Sequence, residues 1–293
     1  MNQKIINQKL FSTISNRLGL TQVPRAASVG GGSINDSFRL CFDQRQFFCK
    51  INSASKFPQL FEKEKKGLQL LGEKKIIRVP EVLDCFEIDQ QQVLVLEWIA
   101  PGERTENFWK EFGRQLSLLH QIQGKEFGLD EDNYMGSVVQ RNSRSDDWVS
   151  FFIHQRLQPM VERCCEKNLL PGKERSQFEH LYTGLENFFE RAQAPMLLHG
   201  DLWSGNFICD KDSMPVLIDP AVYYGHPAVD LGMTTLFGGF HQKFYEAYEQ
   251  HATFPHHHKD QWLVCNLYPL LIHLLLFGQS YLSEIQGILR KFV

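Results

Sequence analysis

The chain has 293 residues, 43% hydrophobic and 22% charged, with a formal net charge of −3. That length exceeds the size at which one hydrophobic core usually stops growing, so two lobes are expected and a single compact unit is not. The basic residues are scattered, which excludes the concentrated positive surface that a nucleic-acid partner requires.

In chain order, residues 2–18 place Ile5, Ile6, Leu10, Phe11, Ile14 and Leu18 at helical spacing, and this N-terminus lacks the apolar core of a signal peptide. A strand-like stretch leads to the glycine run Gly30–Gly31–Gly32–Ser33, followed by short strands near 37–42 and 46–51, the second reading FFCKI around Lys50. The run matches neither GxGxxG nor the P-loop pattern. Its place between two strands, ahead of Lys50, predicts a phosphate-covering hairpin in which Gly31, Gly32 and Ser33 let backbone amides approach phosphates. Residues 58–71 read as a helix opened by Pro58. Leu60, Glu64, Leu68 and Leu71 share one face of it, with Glu62, Lys65, Lys66 and Gln69 opposite. An inward lysine on a strand needs a partner, and Glu64 is the carboxylate on the inward face, so a Lys50–Glu64 ion pair is expected.

Strands at 81–88 and 92–96 close the first lobe, and the segment EWIAPG, with Pro101 and Gly102, marks a hinge. The expected organisation is 1–97 as an N-terminal ATP-binding lobe, 98–102 as the hinge, and 103–293 as a helical C-terminal lobe. Helices are predicted at 105–121, 147–166, 173–191, 227–237, 241–250 and 261–278, with one compact β-rich segment at 196–219. The vicinal Cys164–Cys165 falls on one of these helices. Seven cysteines without CxxC spacing fit a reducing compartment, and the run 267–277 is too short to span a bilayer. No membrane association and a cytoplasmic location are the expectations. The run His256–His257–His258 reads as a solvated loop, because consecutive residues do not easily converge on one metal.

The chemistry concentrates in LLHGDLWSGNFIC. An apolar strand delivers His199–Gly200–Asp201, Asn206 follows after four residues, and a second apolar strand ends in Asp219. Phosphoryl transfer from ATP needs an aspartate to accept the proton of the attacking hydroxyl and oxygen ligands to hold Mg²⁺ on the phosphates. Asp201 suits the first task. Asn206 and Asp219 suit the second, since magnesium takes few carboxylates and shares its shell with phosphates and water. The fold class read from this order is α+β, a two-lobed protein-kinase-like fold.

The strings HGDLWSGN and IDPAVYYGHPAVDLGMTTLFGGF resemble the fructosamine kinase (ketosamine-3-kinase) family, relatives of the aminoglycoside and choline kinases. The resemblance implies Asp201 as proton acceptor and Asn206 and Asp219 as metal ligands. It implies Asp230 as a carboxylate that supports the catalytic loop alongside His199, although the residues alone also allow Asp230 to be a helix N-terminal carboxylate. It implies that the backbone of Glu97, Trp98 and Ile99 meets adenine. The acceptor it implies is a glycated amine, a fructosamine or ribulosamine on a free amino acid or a protein lysine. Phosphorylation on the sugar 3-hydroxyl then frees the amine, a deglycation repair. Trp203, Tyr223 and Tyr224 are candidates to pack on the sugar. His273 reads as a core histidine or a member of the acceptor pocket. The competing readings are a kinase of an aminoglycoside or amino alcohol, and a pseudokinase binding module. Oligomeric state has no signal in the sequence.

Overall fold

The computed structural model describes residues 3–30, 34–190 and 193–293. The chain forms two compact units, Met1–Glu103 with Ile208–Asp219, and Arg104–Phe207 with Pro220–Val293. The expected hinge at 98–102 thus lies at the end of the first unit, and that unit also takes back the segment carrying Asp219.

In the first unit, β1 (Arg25–Ser28), β2 (Asp36–Phe42), β3 (Arg45–Ser53), β4 (Val82–Ile88) and β5 (Gln91–Glu97) form one antiparallel sheet in the order β1-β2-β3-β5-β4. Helix α1 (Gln3–Arg17) lays Leu10, Phe11 and Ile14 against Leu40, Phe42, Cys49, Ile51, Val93 and Val95 of the sheet. Burying each such side chain stabilises the unit by about 1.5–3 kcal/mol. Helix α2 (Leu60–Glu73) buries Leu60, Leu68 and Leu71 of the stripe expected from spacing, and Phe61 and Gly67 beside them. Its start at Gln59 has no side-chain cap, and Gln92 on β5 substitutes. The Gln92 carboxamide oxygen accepts the Phe61 amide at 3.0 Å, while its nitrogen donates to the carbonyls of Ser53 and Phe57. The side chain of a sheet residue therefore sets where the helix carrying Glu64 begins.

The second unit is mainly helical. Helix α3 (Glu106–Leu119), capped by Thr105, packs Phe108 and Phe112 with Phe207, Phe240 and Phe244. The helix His258–Phe277 is long and apolar enough to cross a membrane, yet most of it is buried in the protein core. The helix expected at 147–166 is three pieces, Trp148–Phe151, a π-helical turn Phe152–Leu157, and Gln158–Glu166. Pro159 has no N–H and its ring collides with the carbonyl four residues back, so the ladder widens just before it. A short hairpin, Asn133–Met135 with Val138–Gln140, and a last helix, Leu282–Phe292, were not anticipated.

Candidate active site

In the first unit, Lys50 lies mid-strand on β3, opposite Leu94 of β5, with 3% of its surface exposed. Its Nζ reaches Glu64 at 2.7 Å and Asp219 at 2.5 Å. Burial works against the ammonium, but the two carboxylates outweigh it and hold its pKa above the ordinary value. Burial pushes the Glu64 carboxyl up, Lys50 opposes that, and the neighbouring Asp219 adds to it. Asp219 has φ 53°, a left-handed conformation that aspartate tolerates better than most residues, and its side chain remains 40% exposed. Glu64 is thus a buried anchor and Asp219 an accessible carboxylate sharing the same cation.

Gly31, Gly32 and Ser33 lie outside the described residues. At the other expected nucleotide contact, the Glu97 amide is donated to Glu81 O at 2.9 Å and its carboxylate accepts from Arg78. The Glu97 amide and carboxylate are thus both committed within the protein. Ile99 is buried, and the Trp98 ring lies 4.7 Å under the Arg39 guanidinium.

In the second unit, the strand Met196–Leu198 pairs with Tyr223–Gly225 and delivers His199. Asp230, with no exposed surface, accepts the His199 amide at 2.7 Å and the Gly200 amide at 2.8 Å. The His120 Nε2 lies 3.2 Å from the same carboxylate, and its Nδ1 lies 2.9 Å from the Tyr248 hydroxyl. Burial opposes the Asp230 charge, but the His120 hydrogen bond, two nearby imidazoles and the Gly200 amide overcome it and lower its pKa. Gly200 has φ +83°, and a Cβ there would sit 2.0 Å from Ala221 O, so this turn admits only glycine. Beyond it, Asn206 Nδ2 donates to both Asp201 O (2.8 Å) and Asp201 Oδ2 (2.9 Å), and the Asp201 amide donates to His199 Nδ1 at 3.3 Å. The Asn206 amide nitrogen is committed inward, which directs its Oδ1 to other partners.

Magnesium takes hard oxygen donors, and each unit presents one, Asp219 an accessible carboxylate in the first and Asn206 an amide oxygen in the second. No group of three or more His, Cys, Asp or Glu side chains placed to hold a metal occurs among the described residues. The run at 256–258 is engaged locally, His257 with Phe188 O and His258 with Pro255 O.

Of the aromatic candidates, Tyr223 is corrected by its burial. No part of it is exposed, and its ring packs on Phe151 and beneath Arg156, so it is core. Tyr224 packs against Gly124, where a Cβ would come 2.5 Å from its ring. Trp203 is half-buried and meets Phe237 edge-on at 5.8 Å. Phe237 in turn meets His273 at 4.7 Å, and His273 meets Tyr281 at 5.0 Å. His273 Nδ1 is buried without a hydrogen-bond partner among the described residues, and burial pushes the imidazole down to about 4. Phe237, Tyr281 and His120 were missed. Phe237 and His120 each sit in an apolar pattern that spells core in sequence.

The profile of the fructosamine kinase family matches residues 6–293. The chain belongs to the fructosamine kinase family. A probable ketoamine kinase of Enterococcus faecium is 36% identical over 265 residues, covering 90% of this chain and 94% of that protein. The chloroplastic protein-ribulosamine 3-kinase of Arabidopsis thaliana is 34% identical, covering 93% of this chain and 84% of its relative. A provisionally named fructosamine-3-kinase from Thermobifida fusca superimposes with a TM-score of 0.87 at 27% identity, over 97% and 98% of the two chains. The choline kinase LicA from Streptococcus pneumoniae shares the fold at a TM-score of 0.67 and 16% identity, over 98% of each chain. Membership of the fructosamine kinase family makes the protein an ATP-using phosphotransferase of kinase-like α+β fold.

Proposed function

We propose that the protein is an ATP- and Mg²⁺-dependent ketosamine kinase that phosphorylates the sugar 3-hydroxyl of fructosamine or ribulosamine adducts, on small amines or protein lysines, in deglycation repair in the cytoplasm. The observation that carries this reading is the sharing of buried Lys50 between Glu64 and Asp219. A cation so placed has one permanent partner and one that can be exchanged for phosphate oxygens.

Asp201 accepts the proton of the acceptor hydroxyl, whose oxygen bonds to the γ-phosphorus as the bond to ADP breaks. Asn206 steers the Asp201 carboxylate through its Nδ2. Asp230 keeps the loop's backbone in register, so the base does not have to be repositioned during each turnover. Asp219 and Asn206 would hold magnesium, which would supply charge neutralisation on the phosphates. Trp203, Phe237, His273 and Tyr281 form the aromatic patch on which the sugar or its amine packs. A neutral His273 has a ring nitrogen available to a sugar hydroxyl.

The test is ATP consumption measured with fructoselysine, ribuloselysine, choline and kanamycin. Turnover with either glycated lysine is expected. Turnover only with choline or kanamycin sinks the acceptor assignment, and nucleotide binding without transfer to any acceptor makes the protein a pseudokinase.

A further inference from the structure

The segment Ile208–Asp219 follows the catalytic loop in sequence yet is part of the first unit. Two anchors hold it there. At one end, Gly102 N donates to Cys209 O at 2.8 Å, and the approach is so close that a Cβ on Gly102 would lie 2.0 Å from Asp210 O. At the other end is Arg78, which acts with both its main chain and its side chain. Its carbonyl accepts the Leu217 amide at 2.9 Å, two residues before Asp219, and Arg78 bridges Val216 in parallel. Its guanidinium spans two carboxylates, Asp210 Oδ2 at 2.8 Å through Nη1 and Glu97 through Nη2.

These contacts close a ring. Glu97 ends β5 and stands opposite Phe47 on β3, and three residues along β3 is Lys50. Lys50 meets Asp219, Asp219 follows Leu217, and Leu217 is held by Arg78, which returns to Glu97. Asp210, the turn residue inside the ring, is 5% exposed in its side chain and also accepts the amides of Asp212 and Met214 at 2.9 Å. Exposed ion pairs stabilise little. A planar fork fixed to one buried carboxylate and one strand end instead sets geometry, which a lysine's single point charge cannot reproduce.

We propose that Arg78 is a positioning residue for nucleotide and metal, locking the end of β5 to the 208–219 hairpin so that the Asp219 carboxylate stands in register with Lys50. The inference rests on the reading of Asp219 as a magnesium ligand. It assigns Arg78 no contact with substrate.

The experiment is calorimetric titration of the full-length protein with ADP at fixed Mg²⁺, and with Mg²⁺ at fixed ADP, alongside thermal melts. Arg78→Ala is expected to weaken MgADP binding by about 10- to 100-fold, the range usual for a support behind a metal ligand. Arg78→Lys should recover only part of that loss. Glu97→Gln, which keeps size and leaves the Asp210 contact, should fall between Arg78→Ala and the unaltered protein, and it stands in should Arg78→Ala fail to fold. Arg17→Ala is the control, because Arg17 makes a two-pronged pair with Asp84 in the same unit, at 2.6 and 2.9 Å, away from this ring. If Arg78→Ala or Glu97→Gln melts lower but binds MgADP as Arg17→Ala does, Arg78 is merely structural and the inference is overturned. If the unaltered protein binds no MgADP, the kinase reading falls first and this inference with it.

Discussion

The two halves of the chemistry are held in opposite ways. Around Lys50, charge is held by charge: one buried ammonium, one buried carboxylate and one accessible carboxylate at 2.7 and 2.5 Å. Around Asp201, the backbone is held by a buried charge: Asp230 fixes two consecutive amides, and Asn206 fixes the direction of the Asp201 carboxylate. In the proposed mechanism the first arrangement exchanges a partner when phosphates arrive, because the competing interaction is of the same kind. The second cannot exchange without breaking buried hydrogen bonds, a rigidity that serves the general-base role proposed for Asp201.

The sharpest way to break this contrast is at the base. Asp201→Asn is expected to lower kcat by at least ~10²-fold while leaving ATP affinity close to unaltered. Steady-state kinetics with a nucleotide titration check it, and near-normal turnover removes Asp201 from the mechanism. Next is the frame. Asp230→Ala should destabilise the second unit by about 3–5 kcal/mol, since two amides and His120 lose a buried charged partner. Urea denaturation reads this, and a loss below 1 kcal/mol would mean the loop is held by something else.

On the exchangeable side, Asp219→Asn should weaken Mg²⁺-dependent ADP binding by about tenfold with little change in melting temperature. A large drop in melting temperature without a binding change would make Asp219 structural and erase the distinction between the two regions. The smallest effect concerns acid. His226 is buried, and burial first, then the neighbouring His120 and His257, push its imidazole from 6.5 down to about 3. Unfolded chains bind the proton near pH 6.5 while the folded protein resists it, so stability falls as pH drops from about 6.5 toward 3. His226→Asn keeps an acceptor for the Ala228 amide and should flatten stability measured between pH 7 and 5. An unchanged slope assigns the acid sensitivity to other groups.

Sequence alone carried much of this architecture. Apolar, strand-prone runs located four strands of the first sheet, 3.6-residue spacing placed Glu64 inward on α2, and the order HGD, Asn206, Asp219 picked out the polar groups to which phosphoryl transfer is here assigned as a proposal. These features are local, so they survive in a linear reading. Tyr223 shows the limit: an aromatic near a catalytic string looks like a sugar platform, but its environment is made by Phe151 and Arg156, some seventy residues upstream. The same holds for Arg78, an ordinary surface arginine in sequence, whose partners lie 19 and 132 residues away. His120 likewise acquires its part from Asp230 and Tyr248, 110 and 128 residues distant. Residue type and spacing determine which groups can hold a proton or a phosphate. Which of them do so here is set by long-range packing, because burial and partners, not identity, decide whether a polar side chain is fixed, exchangeable or inert.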